Sequence, residues 1–169
     1  MRRISRSLRR TIPPALVVAL AATAALAPLA AHAQAVPSDK AVIDYRQHVM
    51  GAIGANMGAI GDILKNKLDR PGAIAIHAQE MVLSAKLIAP AFQQKVVEGK
   101  TDAKPAIWSD APKWEKAIGD YESAAKDLAA AAQGSDPAAT GRAVKALGDA
   151  CGGCHDKFRK PKEESYKNR

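Results

Sequence analysis

The sequence CGGCH occupies residues 151–155, near the C-terminal end of a chain of 169 residues. It contains the only two cysteines of the chain, which are separated by two glycines and followed at once by a histidine. On a helix, the spacing i, i+3 and i+4 would make Cys151, Cys154 and His155 project from one face. The stretch therefore predicts one site that uses both thiols and the imidazole together.

The N-terminal segment, residues 1–33, indicates where these thiols would be found. It carries five arginines and no acidic residue, then an uncharged apolar run over residues 15–30, and ends in AHA at 31–33. This order is typical of a secretory signal peptide. A retained membrane anchor is the alternative, but the run is rich in alanine and is interrupted by Pro28. We expect cleavage to leave residues 34–169 in the periplasm, without a stable membrane span.

Cleavage would change the composition of the chain. Removing 33 of the 169 residues leaves 136, enough for a single domain with a hydrophobic core. The five arginines of the leader would be lost, leaving 20 Lys and Arg against 17 Asp and Glu, a net charge of +3. No basic stripe with interleaved aromatic residues remains, so we do not expect nucleic-acid binding. Because exported proteins meet an oxidising compartment, the two thiols should be bonded rather than free.

The mature sequence is rich in alanine and poor in aromatic residues, which favours helix. Caps, prolines and apolar periodicity predict four helices, which run from Ser38 to about Lys65, from Asp69 to about Ala89, from Ser109 to Gly134, and from Ser135 to Arg159. A long connection would cover residues 91–109, and the charged tail 160–169 should be frayed. The fold expected for residues 34–169 is therefore all-α, a single antiparallel four-helix bundle.

Three kinds of site could use two cysteines and a histidine on one helix face. A thioredoxin-type dithiol needs a βαβ setting, and the sequence predicts no strands. A zinc ion needs four ligands, which only His48, His77 or carboxylates could complete. C-x-x-C-H is the attachment signature of c-type haem. The pattern favours one haem c per chain, covalently bound through two thioethers near the C-terminal helix, with zinc and a disulfide as alternatives.

The first predicted helix carries four glycines on one face, Gly51, Gly54, Gly58 and Gly61. Relative to alanine they cost about 1 kcal/mol each in a helix. Such a stripe usually permits close approach of another backbone or of a flat ligand. The alternative is that small residues are tolerated on a solvent-exposed face.

Four stretches of the sequence resemble the class II c-type cytochromes, the cytochrome c′ family. They are VIDYRQHVM at 42–50, MGAIGDILK at 57–65, KPAIWSD at 104–110 and LGDACGGCHDKFRK at 147–160. Small class I cytochromes carry the haem motif near the N-terminus instead. The resemblance implies that Cys151 and Cys154 bind the haem and that His155 is the proximal iron ligand.

The resemblance also implies roles for two arginines. Arg46 matches an arginine of the first helix that approaches a haem propionate, and Arg159 matches an arginine that flanks the proximal pocket. Independently of the family, a buried arginine within an apolar stripe needs a partner, and a propionate would serve. Each of the two could equally be a solvated surface charge.

The sixth iron position separates two functions within the resembling family. The residue four after the first-helix arginine faces the distal side of the iron, and here it is Met50. Gas-binding members have leucine or another apolar residue there, whereas a low-spin branch has methionine. We therefore expect Met50 to be the sixth ligand, with Met57 as the fallback. A methionine on an apolar stripe is, however, more often core filler.

The sequence thus predicts a periplasmic one-electron carrier with His/Met low-spin haem iron, serving redox partner proteins. The alternative is a five-coordinate, high-spin cytochrome c′ that binds NO or CO. No enzyme activity is expected, since no nucleophile–base pair is evident. The resemblance also implies that a homodimer can form through the first two helices.

Overall fold

The computed structural model describes residues 37–70 and 72–168 of the chain. Within these residues the regular structure is helical, without a β-strand. None of the described helices is long and apolar enough to cross a membrane. The predicted signal peptide and its cleavage site lie outside the described residues.

Four long helices and one short helix form the fold. Their bounds are Asp39–Asn66 for α1, Ala73–Ala91 for α2, Ala106–Ser109 for α3, Ala111–Gln133 for α4 and Pro137–Phe158 for α5. Helix α1 packs on α2, α2 packs on α4, and α4 packs on α5, whereas α1 and α5 do not pack directly on each other in the described part of the chain. This arrangement confirms the predicted all-α four-helix bundle and leaves a gap between α1 and α5.

Two helices are capped as the local sequence signals predict, whereas others begin later than expected. Helix α2 begins at Ala73 rather than Asp69, after Gly72 with φ 74°, and α4 begins at Ala111 rather than Ser109. The short helix α3 lies inside the predicted connection 91–109. Ser38 caps α1 by accepting a hydrogen bond from the backbone N–H of Ala41 at 3.3 Å. The carboxylate of Asp136 caps α5 by accepting one from Ala138 at 2.8 Å. Helix α2, predicted to end near residue 89, instead includes Pro90 in its last turn. A proline there removes a single backbone hydrogen bond, so the helix continues for two more residues.

Each long helix contributes one large, fully buried side chain to the core. These side chains are Ile60 of α1, Met81 of α2, Leu128 of α4 and Leu147 of α5. The hydroxyl of Tyr121 donates to the backbone carbonyl of Met81 at 3.3 Å, which satisfies a polar group inside this core. The four helices therefore share one hydrophobic core.

The tail after α5 is folded, contrary to the prediction that it is frayed. Residues 162–164 and 166–168 form two 3-10 turns, and Ser165 between them is buried. The tail docks on Asp102 in the connection after α2, whose backbone carbonyl accepts a hydrogen bond from the N–H of Lys160 at 2.7 Å. The docking could not be foreseen, because it depends on contacts between residues about 60 positions apart in the sequence.

Candidate cofactor site

A cavity of ≈ 620 Å³ opens beside the C-terminal half of α5. Its walls come mainly from α1, α4, α5 and the connection between α2 and α4. The cavity occupies the gap that α1 and α5 leave by not packing on each other. Its volume falls within the range of about 300–1,000 Å³ that is common for small-molecule and cofactor sites.

The structure brings Cys151, Cys154 and His155 together on the wall of this cavity. Both cysteines are half-buried and are not paired in a disulfide. Burial raises the pKa of both thiols, and the charge of Cys151 adds to the rise at Cys154. Redox-active dithiols depend on a lowered thiol pKa, so this pair does not have the electrostatics of a thioredoxin-type site.

His155 is exposed to the cavity rather than packed in the core. Its partial burial lowers the pKa of the imidazole, and the nearby positive charge of Arg159 lowers it further, against an opposing effect of Asp156. A lowered pKa favours the neutral imidazole near neutral pH. The neutral form is the one that ligates a metal.

The zinc alternative would require further ligands near the cysteines. Among residues 37–70 and 72–168, no group of three or more His, Cys, Asp or Glu side chains is placed to hold a metal ion. His48 is exposed on α1, and Nδ1 of His77 lies 2.8 Å from Oδ1 of Asn56. Neither histidine lines the cavity.

Two methionines of α1, Met50 and Met57, line the same cavity as His155. Both are half-buried and pack against the hydrophobic core. Cε of Met57 lies 3.8 Å from the position that a Cβ on Gly148 would occupy, so this side chain reaches across to α5. The structure therefore presents two thioethers to the cavity, and the assignment of Met50 as an iron ligand remains a prediction.

The glycines of α1 lie beside the cavity. Gly51, Gly54 and Gly58 line it, and a Cβ added at any of them would meet no atom within 4 Å beyond the adjoining residues and the backbone of α1 itself. No other helix of the described chain approaches them closely. The open space is compatible with a flat ligand on this face. It is equally compatible with small residues tolerated on a solvent-exposed face, since all four glycines are exposed. Gly61 continues the stripe but lies outside the cavity lining.

Arg46 is a buried residue of α1, only 3% exposed. Its Nε donates to the carbonyl of Ala91 at 2.9 Å, one terminal nitrogen donates to Val96 at 2.8 Å, and the other donates to the carbonyl of Gln94. These bonds attach α1 to the last residue of α2 and to the segment that follows it. Arg46 also lines the cavity, so the propionate contact implied by the family resemblance remains a prediction.

Two aromatic rings flank the guanidinium of Arg46. Its Cζ lies 5.1 Å from the ring centre of Phe92 and 5.0 Å from that of Trp108, distances at which cation–π attraction is effective. Burial lowers the pKa of this guanidinium, and Asp39 acts in the opposite direction. The rings and carbonyls together compensate for the burial of the charge.

Arg159 follows α5 and also lines the cavity. Its backbone N–H donates to the carbonyl of His155 at 2.9 Å, and it forms an isolated antiparallel bridge with Ala103. Its side chain is exposed. The structure thus places Arg159 next to the histidine.

Sequence reasoning missed an aromatic cluster under the cavity. The rings of Phe92 and Phe158 each meet Trp114 edge to face with centres 5.1 Å apart, linking α4 to α5 and to the segment after α2. A tryptophan near the start of an otherwise alanine-rich helix was the available signal for this cluster. Tyr166 and Lys167 of the tail also line the cavity, and no local signal marked them.

A sequence model of the family described as Cytochrome C′ matches residues 41–159, from α1 to the end of α5. The chain belongs to the cytochrome c′ family. A cytochrome c′ from Rhodospirillum rubrum is 37% identical over 138 residues, which cover 80% of this chain and 94% of that relative.

Solved structures of the family share the fold. Cytochrome c prime from Shewanella frigidimarina superimposes with a TM-score of 0.69 at 28% identity, covering 75% of this chain and 99% of that one. The nitric oxide complex of a variant cytochrome c prime from Alcaligenes xylosoxidans gives a TM-score of 0.68 at 26% identity, with 75% of this chain and 99% of that one covered.

Family membership decides among the three kinds of site considered for the cysteines. The chain binds haem c, as the family does, and its two cysteines provide the covalent attachment. The residues present fit the group, because both thiols and the neutral imidazole of His155 face one apolar cavity. The comparisons do not support the expected low-spin, methionine-ligated branch. They match the cytochrome c′ family itself and include a nitric oxide complex.

Proposed function

We propose that this chain is a periplasmic haem c protein that binds NO or CO on the distal side of five-coordinate iron. The observation that carries the proposal is the α1 wall of the cavity. It combines two thioethers with three glycines above which there is open space. When bound, the haem supplies an iron that can bind a small gas or exchange one electron.

The polar lining residues of α1 are already engaged. The amide of Gln47 donates to the carbonyl of Lys100 at 2.7 Å, and Arg46 is held by backbone carbonyls. Both side chains therefore already direct donors to backbone carbonyls of this chain. An apolar distal wall favours neutral diatomic gases over ligands that need a hydrogen-bond donor.

The role that we give to Met50 is to screen the distal side. It is half-buried and packs against the core together with Met57, as an apolar residue at this position would. A thioether is a weak, soft donor and is easily displaced by a strong-field gas. The nitric oxide complex of a variant of the Alcaligenes xylosoxidans relative also supports gas binding rather than methionine ligation.

A His/Met low-spin electron carrier is the second candidate. The observation that favours it is that Met50 and His155 line one cavity, so a haem between them could receive both side chains. Thioether ligation would stabilise ferrous iron and raise the reduction potential. In that case redox partner proteins of the periplasm would be its functional partners.

The absorption spectrum of the purified protein tests the choice. We expect high-spin spectra in both oxidation states and prompt formation of a CO adduct by the ferrous protein. Low-spin spectra in both states, with a sulfur–iron band in the near infrared and no reaction with CO, would establish the second candidate instead. The mass of the periplasmic protein would show whether residues 1–33 have been removed.

We also propose that two copies associate through α1 and α2. The outer surface of these helices exposes large apolar side chains, namely Tyr45 at 47%, Ile76 at 63%, Leu83 at 56% and Leu87 at 45%. Surface apolar residues gathered on adjacent elements are common at protein interfaces. The haem cavity lies on a different face of α1, so association would leave the cavity accessible.

A further inference from the structure

The C-terminal tail contributes to the cavity although it lies outside the part of the chain that matches the family. The match ends at Arg159, whereas Tyr166 and Lys167 are lining residues. Part of the cavity wall therefore comes from residues that the family model does not cover.

Asp102 holds the tail in place. Its carboxylate accepts one hydrogen bond from the hydroxyl of Ser165 at 2.8 Å and another from the backbone N–H of Tyr166 at 2.9 Å. Ser165 is only 7% exposed, and its hydroxyl also accepts a hydrogen bond from the N–H of Lys167 at 3.3 Å. These contacts fix the backbone of the two lining residues at the cavity wall.

The charged lining residues gather at one end of the cavity. They surround the connection before α3 and comprise Arg46, Asp102, Arg159 and Lys167. Met57 and Gly58 line the cavity further along α1 and carry no charge. Haem has the same asymmetry, since its macrocycle is apolar and its two carboxylates lie on one edge. The charged end of the cavity therefore suits the propionates.

The cations at this end differ in how many hydrogen bonds and ion pairs they already form within the chain. Arg46 donates to three backbone carbonyls. Lys167 is exposed, forms no ion pair within residues 37–70 and 72–168, and holds its Nζ 6.0 Å from the ring centre of Tyr166. The negative Asp102 beside it would oppose the ionisation of a propionate, and the charge of Lys167 would offset that effect.

We propose that Lys167, positioned by the docking of Ser165 and Tyr166 on Asp102, forms an ion pair with a haem propionate. The pair would add to the haem site a residue that lies outside the range matched by the family model. It rests on the assignment of haem c and holds whether or not the iron binds gases. A positive charge at this edge favours the ferrous state, which has one positive charge fewer than the ferric state.

The test compares Lys167→Gln with Lys162→Gln in the full-length holoprotein. Both substitutions remove one positive charge from the tail, but Lys162 does not line the cavity. At a fixed applied potential, K167Q should lower the ratio of reduced to oxidised protein by about threefold relative to K162Q, the size expected for an exposed ion pair.

The pH dependence of the potential provides a second readout. Loss of a neighbouring cation raises a carboxyl pKa, so the propionate inflection should move upward by about half a unit in K167Q and stay in place in K162Q. Ser165→Ala, which removes a docking contact without changing charge, should produce a smaller shift in the same direction. Identical potentials and inflections in K167Q and K162Q would overturn the ion pair, and an unshifted S165A would overturn the positioning by Asp102.

Discussion

The guanidinium of Arg46 donates to the backbone carbonyl of Val96 at 2.8 Å, joining two residues 50 positions apart. Two further carbonyls of the same segment accept from this guanidinium. Because Arg46 also lines the cavity, the bonds that order the connection after α2 also shape the site. A residue expected from the family resemblance to serve the cofactor thus has a structural role as well.

Arg46→Lys should reduce the free energy of unfolding of the holoprotein by about 2–3 kcal/mol. Lysine has a single ammonium group and cannot reach three carbonyls in different directions, so buried acceptors would lose their donors. Urea unfolding followed by far-UV circular dichroism measures the change. Arg142→Lys is the control, because Arg142 is exposed and forms a long ion pair with Asp136 at 3.7 Å. Equal losses in the two variants would contradict the structural role of Arg46.

Gly54→Leu should lower the haem content of the purified protein and leave its oligomeric state unchanged. Gly54 lines the cavity and has open space above it, so a leucine would project into the volume that the haem needs. The pyridine haemochrome assay gives haem per chain, and sedimentation gives the oligomeric state.

Gly61→Leu is the matched control on the same helix. Gly61 is exposed and does not line the cavity, so this variant should retain haem and gain helix propensity of roughly 1 kcal/mol. If G54L kept full haem content but lost association, the glycines would belong to an interface rather than to the cavity.

The double variant Leu83→Glu, Leu87→Glu should be monomeric at concentrations where the wild type associates. Both side chains are exposed on α2, and the introduced carboxylates would repel each other across a symmetric interface. Leu68→Glu is the control, since Leu68 is similarly exposed, at 43%, but lies beyond the end of α1. Sedimentation velocity distinguishes the species. A wild type that is already monomeric at high concentration would contradict the proposed dimer.

The local signals that the sequence contains account for most of the helix bounds. Ser38 and Asp136 cap the helices at the positions expected for them, because a side-chain cap acts on backbone groups only two or three residues away. Helix α2 runs slightly past its predicted end near residue 89, since a proline is compatible with the last turn of a helix, and it begins at Ala73 rather than at the predicted Asp69. Helix ends can therefore be predicted from the sequence where the contacts that stabilise them join residues close together in the chain.

The parts of the site that escaped prediction depend on contacts between distant segments. The spacing of Cys151, Cys154 and His155 on one helix was sufficient to place them on one face of the cavity. By contrast, the three carbonyl partners of Arg46 and the docking of the tail on Asp102 join segments 45 to 64 residues apart. No periodicity or motif encodes these pairs, so the contribution of Lys167 to the cavity could not be predicted from the sequence.

The substitution Met50→Leu separates the two candidate functions. If Met50 only screens the distal side, the wild type is high-spin and M50L remains so, because leucine keeps an apolar side chain of similar volume there. Met57→Leu should likewise leave the spin state unchanged.

The smaller side chain in Met50→Ala should open the distal side and accelerate CO association with ferrous protein by about tenfold, equivalent to 1.4 kcal/mol in the barrier. Flash photolysis measures these rates, and electron paramagnetic resonance reports the ferric spin state. A low-spin wild type that M50L alone converts to high-spin would identify Met50 as the sixth ligand and replace gas binding with electron transfer as the function.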